Sequence, residues 1–198
     1  MMKRQSADLF TVVSLVFLTL PIGVSAQETG GGVAPPTRSQ EQGLNYRNTI
    51  PRDFTTEIIV ADEKGRARAE QILELYGILA TDPSIENMRT YISDSYIQHN
   101  TLIPDGPVPL AMLFSSSVAQ YPVQIDVHKI MVVGDWAMAH VNFRNLTSNA
   151  PEDLGTAAVD MYLYGPDGKI AEHWDVLQGV PTHSANPNGM FVTIFEGE

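Results

Sequence analysis

The segment from Met161 to Gln178 constrains the fold most. Met161-Tyr162-Leu163-Tyr164 reads as a strand, Gly165-Pro166-Asp167-Gly168 as a turn, and Lys169 to Gln178 as a second strand. Two β-runs joined by a short Gly/Pro/Asp loop make an antiparallel hairpin. Its second strand carries Glu172, His173, Trp174, Asp175 and Gln178 among apolar neighbours. Titratable groups beside aromatic ones in a strand mark a place to look for chemistry.

The hairpin closes a longer β-pattern. Val123 to Val133 alternates, with Val123, Ile125 and Val127 on one side and Gln124, Asp126 and His128 on the other. Gly134-Asp135 is a tight turn, and Trp136 to Leu146 and Thr156 to Tyr164 are the next strands. Upstream the spacing is helical. Ala67, Ala69, Ile72, Leu73, Leu75, Tyr76 and Leu79 predict a helix over 61–80, stopped by Asp82-Pro83. Ser84 can cap a second helix to Ile92, and Leu110 to Ala119 is a third. Tyr96 to Asn100 reads as extended or irregular, before a Pro104-Asp105-Gly106-Pro107 turn. Helices first and an antiparallel meander after them define an α+β plan. A sheet curled around helices leaves a cone-shaped pocket for a ligand.

The start of the chain has a different character. Lys3 and Arg4 precede an apolar run from Leu9 to Val24, interrupted by Pro21 and Gly23, and Val24-Ser25-Ala26 suits a signal peptidase. Residues 1–26 therefore read as an export signal, leaving a periplasmic or secreted protein without a stable membrane anchor. Residues 27–60 read as a flexible tether, rich in Gly, Pro, Gln, Ser and Thr as far as about Arg52. Residues 61–198 form one domain. The chain has no cysteine, which excludes thiol nucleophiles and Cys-ligated metals. Its formal charge of −11 repels phosphates, so nucleic acid is not an expected partner.

Two motifs together bring a family into view. Tyr96-Ile97-Gln98-His99-Asn100 with the Asp105-Gly106 turn, and Val159-Asp160-Met161-Tyr162 followed by Gly168 to Val176, Gln178 and Ser184 to Asn188, resemble the SnoaL-like branch of the NTF2-like superfamily. The resemblance covers about residues 65–192. It implies a cone-shaped α+β barrel, with N-terminal helices packed in a curved antiparallel sheet. It also implies dimerisation through the outer sheet face. Polyketide cyclases, limonene-epoxide hydrolases and ketosteroid isomerases have this form. They work with pocket carboxylates or histidines and with no metal or organic cofactor. Other members only bind ligands, so the fold leaves function open. The branch usually has proline after the His-Asn pair, where this chain has Thr101.

Candidate site residues follow from strand parity and from the resemblance. On the last strand Glu172, Trp174, Val176 and Gln178 share one face, and Ala171, His173, Asp175 and Leu177 the other. Both sets line the cavity only if a bulge intervenes. The resemblance places the relatives' strand-borne catalytic carboxylates at Trp174 and Gln178. It thus favours the first set as inward-facing and implies that the family carboxylate is missing. His173 and Asp175 then remain an alternative catalytic pair, or an outward pair at a dimer interface. Asp160, among apolar strand residues with Tyr162 and Tyr164 on its side, is the expected acid or base, since an unpaired buried carboxylate is costly. His140 and His99 are expected to face it, with Asn100, Asn142, Tyr162, Trp174 and Gln178 holding a small, mostly apolar ligand. His128 is expected to be a solvated or interface residue. The histidines match no local metal-ligand spacing, so no metal is expected.

Overall fold

The computed structural model describes Leu44–Asn45, residues 53–186 and residues 188–193. The export signal and most of the tether lie outside the described residues. Within them the order is β1 (Leu44–Asn45), β2 (Glu57–Val60), α1 (Glu63–Thr81), α2 (Ile85–Tyr91), β3 (Ile92–Gln98), α3 (Pro107–Val118), β4 (Gln124–Val133), β5 (Trp136–Arg144), β6 (Thr156–Tyr164), β7 (Ile170–Gly179) and β8 (His183–Ser184). β1 pairs with β8, and the other strands form one six-stranded sheet in the order β2-β4-β5-β6-β7-β3.

The meander expected from the sequence is the centre of that sheet: β4, β5, β6 and β7 pair antiparallel in succession. The two edges are additions. β2 runs parallel to β4, and β3 runs parallel to β7. β2 falls in the segment assigned by composition to the tether. Its Ile58 and Val60 pack on the core, so the ordered domain begins before residue 61. The sheet is mixed and not closed.

α1 supplies the helical side of the core. Asp62 caps it by accepting from the Gly65 N–H at 2.7 Å. Ala69, Ile72, Leu75, Tyr76 and Leu79 recur at helical spacing and are buried against the sheet. Arg68 ties the helix to the β4–β5 turn: its guanidinium donates to the Gly134 carbonyl and meets the Asp135 carboxylate at 2.7 Å. Gly134 turns the chain there with φ 60°, a conformation that suits glycine. α3 begins at Pro107, earlier than the apolar spacing indicates, because proline is well placed in a first helical turn.

Two bulges decide which side chains face the core. One lies in β4 between Val127 and Lys129 and displaces His128. The other lies where the β6–β7 pairing passes from Leu163↔Glu172 to Tyr164↔Ile170, leaving Ala171 unpaired. Ile170 is buried in the core. Simple alternation from Ile170 would send Glu172, Trp174 and Gln178 inward with it. The extra residue at Ala171 reverses that count, so His173 and Asp175 turn inward. The expected parity of the last strand is therefore corrected, and the bulge is the cause.

Candidate functional site

A polar cluster stands on the inner face of the sheet, where β6, β7 and β3 meet α1. Register places it: Asp160 lies opposite Asp175, Tyr162 opposite His173, and Gln98 beside His173. Asp160 is 2% exposed and His173 8%.

Asp160 is held from the helix side. The Tyr76 hydroxyl donates to Asp160 Oδ2 at 2.5 Å and lies 2.8 Å from the Tyr162 hydroxyl. Tyr162 is also within 3.4 Å of the same oxygen. Burial first, and then the Asp160 charge, raises both phenols well above their ordinary value, so both remain O–H donors. The other oxygen, Asp160 Oδ1, faces His173 Nε2 at 3.6 Å.

His173 and Asp175 are held from the other side. Gln98 Oε1 accepts from the Asn100 backbone N–H at 3.0 Å and lies 2.9 Å from His173 Nδ1. A backbone N–H can only donate, so this Gln98 atom is the oxygen, and Nδ1 carries the proton shared with it. Gln98 Nε2 donates to the Tyr96 hydroxyl at 3.1 Å. Asn100 Nδ2 donates to Asp175 Oδ2 at 2.7 Å.

The structure thus brings together Asp160, Tyr162, His173, Asp175 and Asn100 among the expected residues. It does not bring the others to them. His140 pairs with Val159 while Asp160 pairs with Ala139, so His140 and Asp160 point to opposite faces. On the outer face His140 lies 5.3 Å from the Phe191 ring and 6.4 Å from His128. Asn142 shares that face; it is fully buried and donates to the Leu154 carbonyl at 3.1 Å. His99 is outward too, stacked on Trp174 at 4.2 Å and 3.0 Å from Glu172 Oε2. Trp174 continues to Trp136 at 5.4 Å, and Gln178 is exposed at the end of β7. The expectation that His99, His140, Trp174 and Gln178 line a common cavity with Asp160 is corrected. His128 is likewise no solvated residue: it is 4% exposed.

Sequence reasoning missed Tyr76, Tyr96 and Gln98 as members of the cluster. Tyr76 sits within an apolar helical stripe and looks like packing. For β3 a signal was present: alternation puts Tyr96 and Gln98 on one face and Ile97 on the other.

A groove of about 330 Å³ opens between α1 and the start of β4, lined by Leu73, Tyr76, Gly77, Ala80 and Thr81 of α1 and by Phe54, Thr56 and Ile125 to Val127. Its lining includes Tyr76 but not Asp160, His173 or Asp175. Tyr76 is the link between an apolar groove and the polar wall.

No protein-family model matches the chain, and no curated protein matches it. Solved structures do. A provisionally assigned polyketide cyclase of Bacillus cereus superposes with a TM-score of 0.52 at 16% identity, over 65% of this chain and 89% of that one. An NTF2-like protein of unknown function from Mesorhizobium loti gives 0.48 at 19% identity, over 61% and 99%. A SnoaL-like protein of unknown function from Burkholderia thailandensis gives 0.47 at 13%, over 58% and 97%. The likeness to the Bacillus cereus structure is one of fold, helices packed on a mixed six-stranded sheet. Identities this low speak for the fold and not for an activity.

Proposed function

We propose that this protein binds a small, mostly apolar molecule bearing a carbonyl or hydroxyl group and moves a proton next to that group. The observation that carries the reading is Asp160: a buried carboxylate between neutral tyrosine O–H groups and an imidazole, one of whose donors, Tyr76, also lines a mostly apolar groove. A carboxylate in that position suits general-base duty, and a tyrosine O–H suits an enolate oxygen. His173 stands beside Asp160, with Gln98 holding its tautomer. Such isomerase- or aldol-type chemistry needs no organic cofactor.

The test is hydrogen–deuterium exchange. A panel of apolar ketones is incubated with the protein in D₂O, and exchange at the α-carbon is followed by NMR. Asp160→Asn is expected to lower the rate at least about 100-fold, the scale of positioned acid–base catalysis, with an unchanged circular dichroism spectrum. Exchange at the wild-type rate in that variant would refute the assignment.

A second reading has its own support. The carboxylate oxygens of Asp160 and Asp175 are held by internal partners, and the groove stops at Tyr76. On this reading the domain binds its ligand in the groove without turnover. Ligand-dependent fluorescence with no exchange in any ketone would favour it. We further propose a homodimer joined by outer sheet faces, and export directed by residues 1–26. Terminal sequencing of the protein from cells, expected to begin at Gln27, tests the latter.

A further inference from the structure

We infer that Asp160, His173 and Asp175 form a binding site for one divalent first-row metal ion. The inference rests on the reading of this wall as the functional site, but not on Asp160 acting as a base. It departs from the sequence, where no local ligand spacing is present. The grouping exists only across the β6–β7 pairing and its bulge.

Geometry comes first. One ligand atom from each of the three residues can be chosen so that all lie within 4.8 Å of one another, and His173 Nε2 stands 3.6 Å from Asp160 Oδ1. Ligands bound at about 2.0–2.2 Å to one zinc-like ion stand at most about 4.4 Å apart, so the 3.6 Å pair fits such an ion and Asp175 reaches it by a small side-chain movement. A separation of 3.6 Å is also too long for a direct hydrogen bond.

Electrostatics comes second. Asp160 and Asp175 are directly opposite each other on adjacent strands, and facing like charges destabilise a sheet. Among the described residues no lysine or arginine forms an ion pair with either. With Nδ1 donating to Gln98, the other ring nitrogen of His173 faces Asp160 Oδ1. Two carboxyl groups and one imidazole nitrogen then converge with no lysine or arginine beside them. A bound cation would bridge all three.

The surroundings are the third argument. Metal-ligating side chains are characteristically fixed by hydrogen bonds to their remaining atoms. Here each of the three has such a partner: Gln98 for His173, Tyr76 for Asp160 and Asn100 for Asp175. The amide of Gln98 is itself fixed by the Asn100 backbone and by Tyr96. A mixed nitrogen and oxygen donor set suits Zn²⁺, Co²⁺ or Mn²⁺ better than calcium. Three protein ligands leave a position for a carbonyl or hydroxyl oxygen of a ligand. Asp175, less buried than its two companions, marks the access side.

The probe is Co²⁺ added to metal-stripped full-length protein, followed by calorimetry and by visible absorption. Binding of one ion per chain is expected, weakened at least about 100-fold in His173→Gln and in Asp175→Asn, and unchanged in His140→Gln. Because a variant can lose its fold, NMR of the wild type provides a second measurement. Co²⁺ should broaden the ring protons of His173 first and leave those of His140 and His128 sharp. Failure to saturate one site below about 1 mM, or equal binding by both inner-wall variants, or broadening centred on another histidine, overturns the inference. The ketone exchange run with a chelator separates the two ideas. Exchange that persists without metal, with no ion bound, keeps the proposed activity and removes the metal site. Stoichiometric binding without exchange does the reverse.

Discussion

His128 shows how one bulge can store a pH dependence. The ring lies between Phe54 and Phe191, with centroids 4.2 and 4.4 Å away. Its Nε2 is buried with no hydrogen-bond partner among the described residues. Burial lowers its pKa from 6.5 to about 4, against the pull of Asp126 and with the help of His140, Lys129 and Arg144. The folded value lies below the unfolded one, so the unfolded chain binds the extra proton between them. The contribution of the neutral ring is therefore complete above pH 6.5 and drains away as pH falls towards 4. The gap corresponds to at most about 3 kcal/mol. Urea denaturation at pH 7.5 and 4.5 checks this: wild type should lose about 2 kcal/mol more than His128→Phe over that interval. Equal losses would contradict it. Tyr76 offers a prediction on the inner face. Tyr76→Phe removes the donor to the buried Asp160 oxygen and should cost about 1–3 kcal/mol of stability, read by the same denaturation at pH 7.5.

At the scale of elements, the position of the loop after β5 depends on a glycine. Gly155 has φ 100°, and a Cβ there would stand 2.3 Å from Asn142 Oδ1 and 2.7 Å from the Phe143 carbonyl. Backbone strain and overlap act together, so Gly155→Ala should lower stability by about 2–4 kcal/mol in the same assay. A change within 0.5 kcal/mol would show that the loop yields instead. The same elements explain what was legible in the sequence. The central meander and α1 were, because β4 to β7 alternate and α1 repeats at helical spacing, and both patterns report burial directly. The parallel edges were not. β2 and β3 are short, and their partners are distant in sequence, so nothing local records the pairing. Asp160, Tyr162 and Asn100 were legible by residue type and resemblance. The face of β7 was not, since a bulge leaves no mark in a residue count. With Ala171 taken as part of a regular strand, Trp174 points inward; with it extra, His173 does. Tyr76 was hidden because a tyrosine in a helical apolar stripe looks the same whether its hydroxyl meets solvent or a carboxylate.

For the whole molecule the outer sheet face is the feature that remains to be accounted for. Register puts Ile59, Val133, Trp136, Met161, Val176 and Ile97 on it, and these are 47, 75, 48, 37, 69 and 44% exposed. So many exposed apolar side chains on one face of a chain carrying −11 formal charges are best covered by a partner. Trp136, Trp174 and His99 form a row of rings on it, His99 stacked on Trp174 and Trp136 tilted against it, and large rings anchor interfaces well. A second copy placing the same face against this one would bury like against like, as a two-fold interface requires. Stable interfaces of this sort cover roughly 1,200–2,000 Å², a scale that one face of a sheet of several strands can supply. The double variant Trp136→Lys, Val176→Glu puts like charges into the centre of such an interface while leaving the inner wall untouched. Light scattering after size exclusion should report twice the chain mass for wild type at micromolar concentration and a single chain mass for the variant. A wild type that stays monomeric up to about 1 mM, a concentration at which only affinities weaker than about 4 kcal/mol escape detection, would rule the dimer out. Because Asp160 and His173 lie on the opposite face, the variant should keep whatever ketone exchange and Co²⁺ binding the wild type has, and loss of both together with the dimer would mean that the inner wall depends on the pairing of the outer one.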